Sequence, residues 1–401
     1  MTSQQTPTPS VESLLEIYRQ MFAARQMDRL EAEYVRRGEA FFSISGAGHE
    51  ATAVLNAFLG DDDWLHCHYR DKALMLARGI GAGMFFLCLF NKDGSHSRGR
   101  QLNVQMSAPE LKVMSQVCPV GNSALQSVGV ASAVKDQAGA PIVLCSLGDG
   151  MTQQGEVFEA IAQAVRDTLP VLFLIQDNGL ALSTPTAGRT FYSTPGGDQD
   201  LFCSLPIVRV DGRDPLAAYA ALGAVVAAMR ENRRPAIVVF QVDRLDDHSS
   251  SDDQRLYRPA DEIARIRASS DPIARLRDEL IARGVGTAEL DDREREIESA
   301  LREQAEAARR APDPLPTLTA LRPLAPELTD AHREYRGAEG ESGEGRLTML
   351  EAISEVLRER LRSDDRVTLF GEDIDDPKGD VFGVTRGLSR EFPRAPRGPT
   401  R

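Results

Sequence analysis

Ile142–Gly150 reads IVLCSLGDG, and Pro170–Gly179 reads PVLFLIQDNG. Each is a short apolar run that halts at a polar, glycine-containing turn: Gly148-Asp149-Gly150 in the first, Asp177-Asn178-Gly179 in the second. Strands buried on both faces have this unbroken character, whereas half-exposed strands alternate apolar with polar. Between the two runs, Phe158, Ile161, Ala162 and Val165 fall at helical spacing within Glu156–Arg166. Val208–Val210, the alanine-rich Leu216–Met229 and Ala236–Val242 repeat the cycle. Alternating strands and helices imply a parallel sheet covered on both faces. The predicted fold is α/β, a doubly wound, mostly parallel sheet.

Upstream, Leu14, Leu15, Tyr18, Met21, Phe22 and Leu30 space a helix over Val11–Gly38, and Gly46-Ala47-Gly48-His49-Glu50 precedes a second helical stretch from about Glu50. Polar residues 1–10 are expected to be a disordered tail. Downstream, Asp246–Asp253 is a polar loop, followed by a charged helical extension over Asp261–Arg310. Prolines between Pro312 and Pro326, then the acidic, glycine-rich Gly337–Gly345, mark 311–345 as a linker. From Arg346, the spacing of Leu347, Leu350, Ile353, Leu357 and Leu361 predicts an amphipathic helix. Val367–Phe370 is the predicted strand after it, so 346–401 reads as a partial second α/β domain.

The 401 residues carry 47 Lys+Arg against 60 Asp+Glu, a formal charge of −13. That balance argues against nucleic acid, whose binding relies on cationic neutralisation of phosphates. No apolar run approaches the roughly 18 residues of a membrane span; Ile80–Phe90 is the best candidate. Five cysteines, an odd number without any Cys-x-x-Cys pair, read as reduced core or pocket residues and point to the cytoplasm.

The chemistry concentrates at Asp149 and Asn178. Both follow an apolar strand, at the carboxyl ends where open α/β sheets bind ligands. A carboxylate and an amide oxygen are hard ligands suited to Mg²⁺, which substrate phosphates and water usually complete. Gly148 and Gly150 let backbone approach a diphosphate, and the helix after Gly155 offers its N-terminus. Alone, Gly-Asp-Gly reads equally as a simple turn. The second turn, one strand-helix-strand unit later, gives it a partner.

Leu147–Ala160 (LGDGMTQQGEVFEA) and Leu169–Pro185 (LPVLFLIQDNGLALSTP) together resemble the thiamine-diphosphate motif of 2-oxo acid dehydrogenases, in the alpha subunit of their decarboxylating component. The likeness covers most of Leu14–Arg310. Gly48-His49-Glu50-Ala51 is similar to that family's Gly-Gln-Glu-Ala segment, His68-Tyr69-Arg70-Asp71 to its Tyr-Arg diphosphate clamp, and Gly99-Arg100-Gln101-Leu102 to its Gly-Arg-Gln turn. The resemblance implies thiamine diphosphate and Mg²⁺ as cofactors. Asp149, Asn178 and the Leu180 carbonyl would ligate the metal. Gly150 and Met151 would lie against the diphosphate, with Tyr69 and Arg70 holding it. Cys118-Pro119-Val120 matches the segment that runs under the aminopyrimidine. Gln176 stands at a diphosphate-binding position where relatives often carry Arg, so one positive charge is missing. His68 replaces a common Gln, Gln105 a frequent His, and Val117-Cys118 a polar pair near a potassium site of some members.

Asp246–Arg258 (DDHSSSDDQRLYR) resembles the His-Ser-x-Ser-Asp-Asp…Tyr-Arg loop of the branched-chain members. The resemblance makes His248 the candidate catalytic residue. It would contact the cofactor and support reductive acylation of a lipoyl group, a proton-handling role suited to histidine. Leu347–Leu388 resembles the start of the beta subunit, implying an alpha–beta fusion across the linker. The expected catalytic glutamate of that subunit does not appear before Phe392–Arg401 (FPRAPRGPTR). The readings are a truncated or frameshifted product, or a genuine short tail.

The expected activity is oxidative decarboxylation of a 2-oxo acid, branched-chain favoured, with acyl transfer to a lipoyl-bearing acyltransferase. The expected assembly includes a beta subunit, as heterotetramer or fused dimer. A pyruvate or acetoin dehydrogenase subunit, and an inactive cofactor-binding or dimerisation fragment, are the alternatives.

Overall fold

The computed structural model describes residues 8–103, 105–315, 347–371, 374–376, 379–380 and 382–393. The start of the expected tail, most of the linker with Gly337–Gly345, Glu372-Asp373 and the end of the Pro/Arg-rich stretch lie outside the described residues. The chain divides into two compact units, residues 1–315 and 316–401.

The first unit is built on six strands: β1 (Trp64–His66), β2 (Val143–Gly148), β3 (Val171–Asp177), β4 (Leu201–Phe202), β5 (Leu205–Asp211) and β6 (Ala236–Gln241). Their order is β1-β2-β3-β6-β5-β4. All neighbours pair in parallel except the β5–β4 edge, which is antiparallel. The mostly parallel sheet thus matches the expectation, with one hairpin added.

The continuous apolar runs have a direct cause. Alternate residues of one strand enter two different cores. Leu172 and Leu174 of β3, with Val238 and Phe240 of β6, join a core shared with α1 (Val11–Arg36), α2 (Lys72–Arg78) and α3 (Ala82–Leu89). Val171, Phe173 and Ile175, with Ile237 and Val239, join the opposite core with α4 (Ser123–Val134) and α5 (Gly155–Arg166). The runs are apolar on both alternations because both faces are covered. The α6 helix (Pro215–Asn232) begins at Asp214, whose carboxylate accepts from Leu216 N and Ala217 N, and it packs into the first core.

Three expectations gain detail. The stretch from Glu50 is helical as expected, in the tighter form of a 3₁₀ helix, Glu50–Ala57. The charged extension over 261–310 is three helices, α7 (Ala260–Ser269), α8 (Pro272–Ala282) and α9 (Thr287–Arg310). Asp271 and Pro272 make the first break: the Asp271 carboxylate caps α8 at Ile273 N, and proline disfavours helix in the residue before it. In the second unit, α10 (Met349–Ser363) forms as expected, started by a reciprocal Thr348–Glu351 capping box. Val367–Phe370, however, forms no strand among the described residues. Only Leu369 of the four takes part in a β-bridge, and a single bridge does not extend into a ladder.

Candidate active site

β1, β2 and β3 all end on the same side of the sheet, and a cavity of about 440 Å³ opens there. Asp149, Gly150, Met151, Asn178 and Leu180 line it, together with Tyr69, Arg70, Cys118, Val120 and His248. Residues far apart in the chain therefore share one wall. Gln176 does not line the cavity. Its side chain is wholly buried behind the wall, donating to Asp71 Oδ1 (2.6 Å) and Ser146 Oγ (2.8 Å) and accepting from His49 Nδ1 (2.7 Å). As placed here, it offers nothing directly to a diphosphate.

Asp149 is turned by its position at the start of a 3₁₀ turn, where its Oδ1 accepts from Gly150 N at 2.8 Å. Its Oδ2 accepts from Thr186 Oγ1 at 3.0 Å. Each oxygen keeps lone pairs for a further partner. Asn178 Oδ1 accepts from Leu180 N at 3.1 Å, which curls the turn back over the strand end.

Burial pushes the Asp149 carboxyl above its usual range. Asp177 is pushed up to about 6, first by burial and then by the charge of Asp149. A buried carboxyl held above its usual range, as Asp149 is, would be relieved by a divalent cation at the cavity wall.

The approach for a phosphate is equally built. A side chain at Gly150 would lie 2.7 Å from the Ala181 Cβ, and one at Gly148 would lie 3.1 Å from His68 Nε2. That His68 nitrogen is buried and without a hydrogen-bond partner, on a ring whose centroid lies 3.8 Å from that of Tyr69. A closely packed glycine turn on the cavity wall, beside an orphaned ring nitrogen, fits an anionic, metal-bound group.

Arg70 is buried, and its Nη2 donates to His248 Nδ1 and to His248 O, both at 3.1 Å. Because guanidinium only donates, Nδ1 must accept, and the imidazole is the neutral tautomer with its proton on Nε2. His248 is further held by Asp252, whose Oδ2 accepts from His248 N at 2.8 Å and from Tyr257 Oη at 2.5 Å. Arg244 Nη2 donates to the same tyrosine at 2.6 Å. Burial, then the charges of Arg70 and Arg244, lower the His248 pKa to about 4, against the opposing pull of Asp252.

The folded value lies below the ordinary 6.5. The neutral ring therefore favours the fold above about pH 6.5, and that contribution is lost as pH falls toward 4. Proton NMR of the unliganded protein is expected to place this titration near pH 4. A midpoint at about 6.5 would contradict the Arg70 contact.

Three contributors were not legible as site residues. Asp71, Thr186 and Arg244 act through contacts across 105, 37 and 62 positions, to Gln176, Asp149 and the Leu182 carbonyl, with no local motif. The Asp after Tyr-Arg was the available signal for Asp71.

The description of the matching family is dehydrogenase E1 component, and its model covers residues 18–317. The chain belongs to the dehydrogenase E1 component family. Among relatives, a 3-methyl-2-oxobutanoate dehydrogenase subunit alpha from Mycobacterium tuberculosis (strain CDC 1551 / Oshkosh) is 32% identical over 298 residues, 73% of this chain and 78% of that one. The mitochondrial 2-oxoisovalerate dehydrogenase subunit alpha of Homo sapiens is 29% identical over 311 residues, 77% of this chain and 69% of its own. An Arabidopsis thaliana counterpart, also named mitochondrial, is 29% identical over 262 residues, 65% and 55%. Within the E1 component family match lie all the cavity residues above. The match stops at residue 317, so the beta-like reading of Leu347–Leu388 rests on its own motifs. Among the described residues, no helix is long and apolar enough to cross a membrane.

Proposed function

We propose that this chain is the alpha-type subunit of a thiamine-diphosphate-dependent dehydrogenase that oxidatively decarboxylates branched-chain 2-oxo acids and passes the acyl group to a lipoyl carrier. One observation carries this reading. The metal-type donors Asp149, Asn178 and the Leu180 carbonyl share a cavity with Tyr69, Arg70 and His248. When bound, thiamine diphosphate would supply the nucleophilic carbon and the electron sink for decarboxylation. Asp149, Asn178 and Leu180 would hold Mg²⁺. Arg70 and the Gly148–Met151 turn would receive the diphosphate, and the apolar Cys118–Val120 segment would bound the pocket. His248 would present its Nε2–H to the reacting groups.

A beta subunit and a lipoyl-bearing acyltransferase are the proposed partners, either separate or, for the beta subunit, continued from the 346–401 segment. All five cysteines are free, which supports a reducing compartment such as the cytoplasm.

The test is substrate profiling of the chain reconstituted with a beta subunit. The kcat/KM for 3-methyl-2-oxobutanoate is expected to exceed that for pyruvate by about tenfold or more, the scale that apolar branches contribute in an apolar pocket. Preference for pyruvate or acetoin would overturn the substrate assignment. Cofactor binding without turnover of any 2-oxo acid would favour an inert cofactor-binding subunit.

A further inference from the structure

We propose that Asp71, Gln176 and His49 form a directional hydrogen-bond relay that keeps the amide oxygen of Asn178, and not its nitrogen, available to a metal ion. The inference rests on reading Asn178 as a metal ligand, and it adds positioning residues one, two and three steps behind that ligand.

The relay starts where direction is chemically forced. Both Asp71 oxygens accept: Oδ2 from His68 N at 2.7 Å and Oδ1 from Gln176 Nε2 at 2.6 Å. A carboxylate can only accept, so the Gln176 amide cannot turn over. Gln176 Oε1 therefore faces His49 Nδ1, at 2.7 Å, and that nitrogen must carry the proton. His49 is fully buried, and its Nε2 presents a lone pair to Asn178 Nδ2 at 3.4 Å. The Asn178 nitrogen is thereby drawn back toward the protein, and its Oδ1 is turned to the side where Leu180 N donates at 3.1 Å.

The other neighbour of Gln176 cannot set this direction. Ser146 Oγ accepts from Gln176 Nε2 at 2.8 Å, but a hydroxyl rotates and would donate just as readily to an oxygen. Only Asp71 has a fixed sense. The arrangement also gives Gln176 and His49 a purpose at two positions where this chain departs from the family's common Arg and Gln. Both side chains are fully buried, so protein partners set the sense of their hydrogen bonds.

Asp71→Asn is the discriminating change because it preserves size. The substituted side chain would accept from His68 N through its oxygen and point its amide nitrogen at Gln176. Gln176 would turn over, His49 would move its proton to Nε2, and that N–H would face the Asn178 Nδ2 donor, setting the relay against the Leu180 N–H that holds Oδ1. The readouts are the ¹⁵N signals of the His49 ring, assigned by their loss in His49→Gln, and binding of Mn²⁺ followed by EPR in the presence of thiamine diphosphate. Both use the full chain.

The wild type is expected to show the Nδ1–H tautomer. Asp71→Asn is expected to show Nε2–H and about tenfold weaker Mn²⁺ binding, the size typical of losing an outer-shell partner. Ser146→Ala is expected to keep the tautomer and stay within about twofold in Mn²⁺ affinity, because it removes no partner of fixed sense.

An Nε2–H tautomer in the wild type would overturn the relay without any variant being needed. So would an unchanged tautomer and affinity in Asp71→Asn, or tautomer reversal in Ser146→Ala. Failure of the underlying metal reading looks different: Asp149→Ala would bind Mn²⁺ normally, whatever the His49 tautomer.

Discussion

Asp149→Ala is expected to lose Mg²⁺-dependent binding of thiamine diphosphate by more than about a hundredfold. Losing an outer-shell partner alone costs about 10–100-fold at a metal, and a carboxylate ligand supplies the charge itself. The unliganded protein should not suffer in parallel. Burial raises the folded pKa of Asp149, and burial with its neighbour's charge raises that of Asp177. A carboxyl with a raised folded value favours the fold below its unfolded pKa, and that contribution is lost as pH rises through the folded value. At neutral pH the charged pair is therefore a cost, and alanine at 149 relieves it.

The two effects separate in a thermal-melting experiment. Wild type gains stability on adding Mg²⁺ with thiamine diphosphate, about 2.7 kcal/mol at a hundredfold excess over Kd, and Tm rises by several degrees. The variant should start at or above the wild-type Tm without ligands and not respond to them. Retention of the ligand-induced shift would remove Asp149 from the metal site.

The contrast between Asp149 and Asp71 explains what a sequence reader can recover here. Asp149 sits in a turn that ends a strand buried on both faces, so the apolar run and its polar stop announce both the sheet and the site. Trp64–His66 is also a strand of that sheet, but it has only three residues and ends in histidine, too short to carry a period. Glu50–Ala57 has helical composition, yet its tighter 3₁₀ winding is settled by packing. Val367–Phe370 has a strand's composition, but among the described residues only Leu369 pairs, in a single bridge.

At the site, the cavity-lining residues Tyr69, Arg70, Asp149, Asn178 and His248 belong to local motifs and were legible as candidates. Residues that orient them were not. His49 meets Gln176 across 127 positions, and Arg70 meets His248 across 178. Gln176 was assigned to the cofactor from its place in a motif. Its actual partners, Asp71, Ser146 and His49, come from three other segments, and only tertiary structure brings them together.

His248→Ala is expected to leave cofactor affinity within severalfold of wild type while reductive acylation of the lipoyl carrier falls by about 10²–10⁴-fold, the usual span for a positioned proton-transfer group. Reductive acylation opens the lipoyl disulfide: one sulfur takes the acyl group and the other takes a proton. The Arg70 contact at 3.1 Å makes His248 Nδ1 an acceptor, so the proton to give is on Nε2. The pKa near 4 keeps that ring neutral through the physiological range, and Arg70 and Arg244 work against a second proton. The ring would therefore act by donating a hydrogen bond from Nε2–H to the sulfur as it leaves, while water supplies that sulfur's proton, with little dependence on pH between about 6 and 8.

Under the proposed assignment cofactor affinity rests on Asp149, Asn178 and Arg70, which remain in place. Glutamine at 248 reaches about as far as Nε2 and can donate from its amide. His248→Gln should therefore recover part of the acylation rate, because its amide can donate to the same sulfur. The separating measurement is single-turnover acylation of a lipoyl domain, run beside calorimetry of thiamine diphosphate binding. Wild-type acylation in His248→Ala would sink the role. A parallel collapse of affinity and acylation would instead make His248 a binding residue.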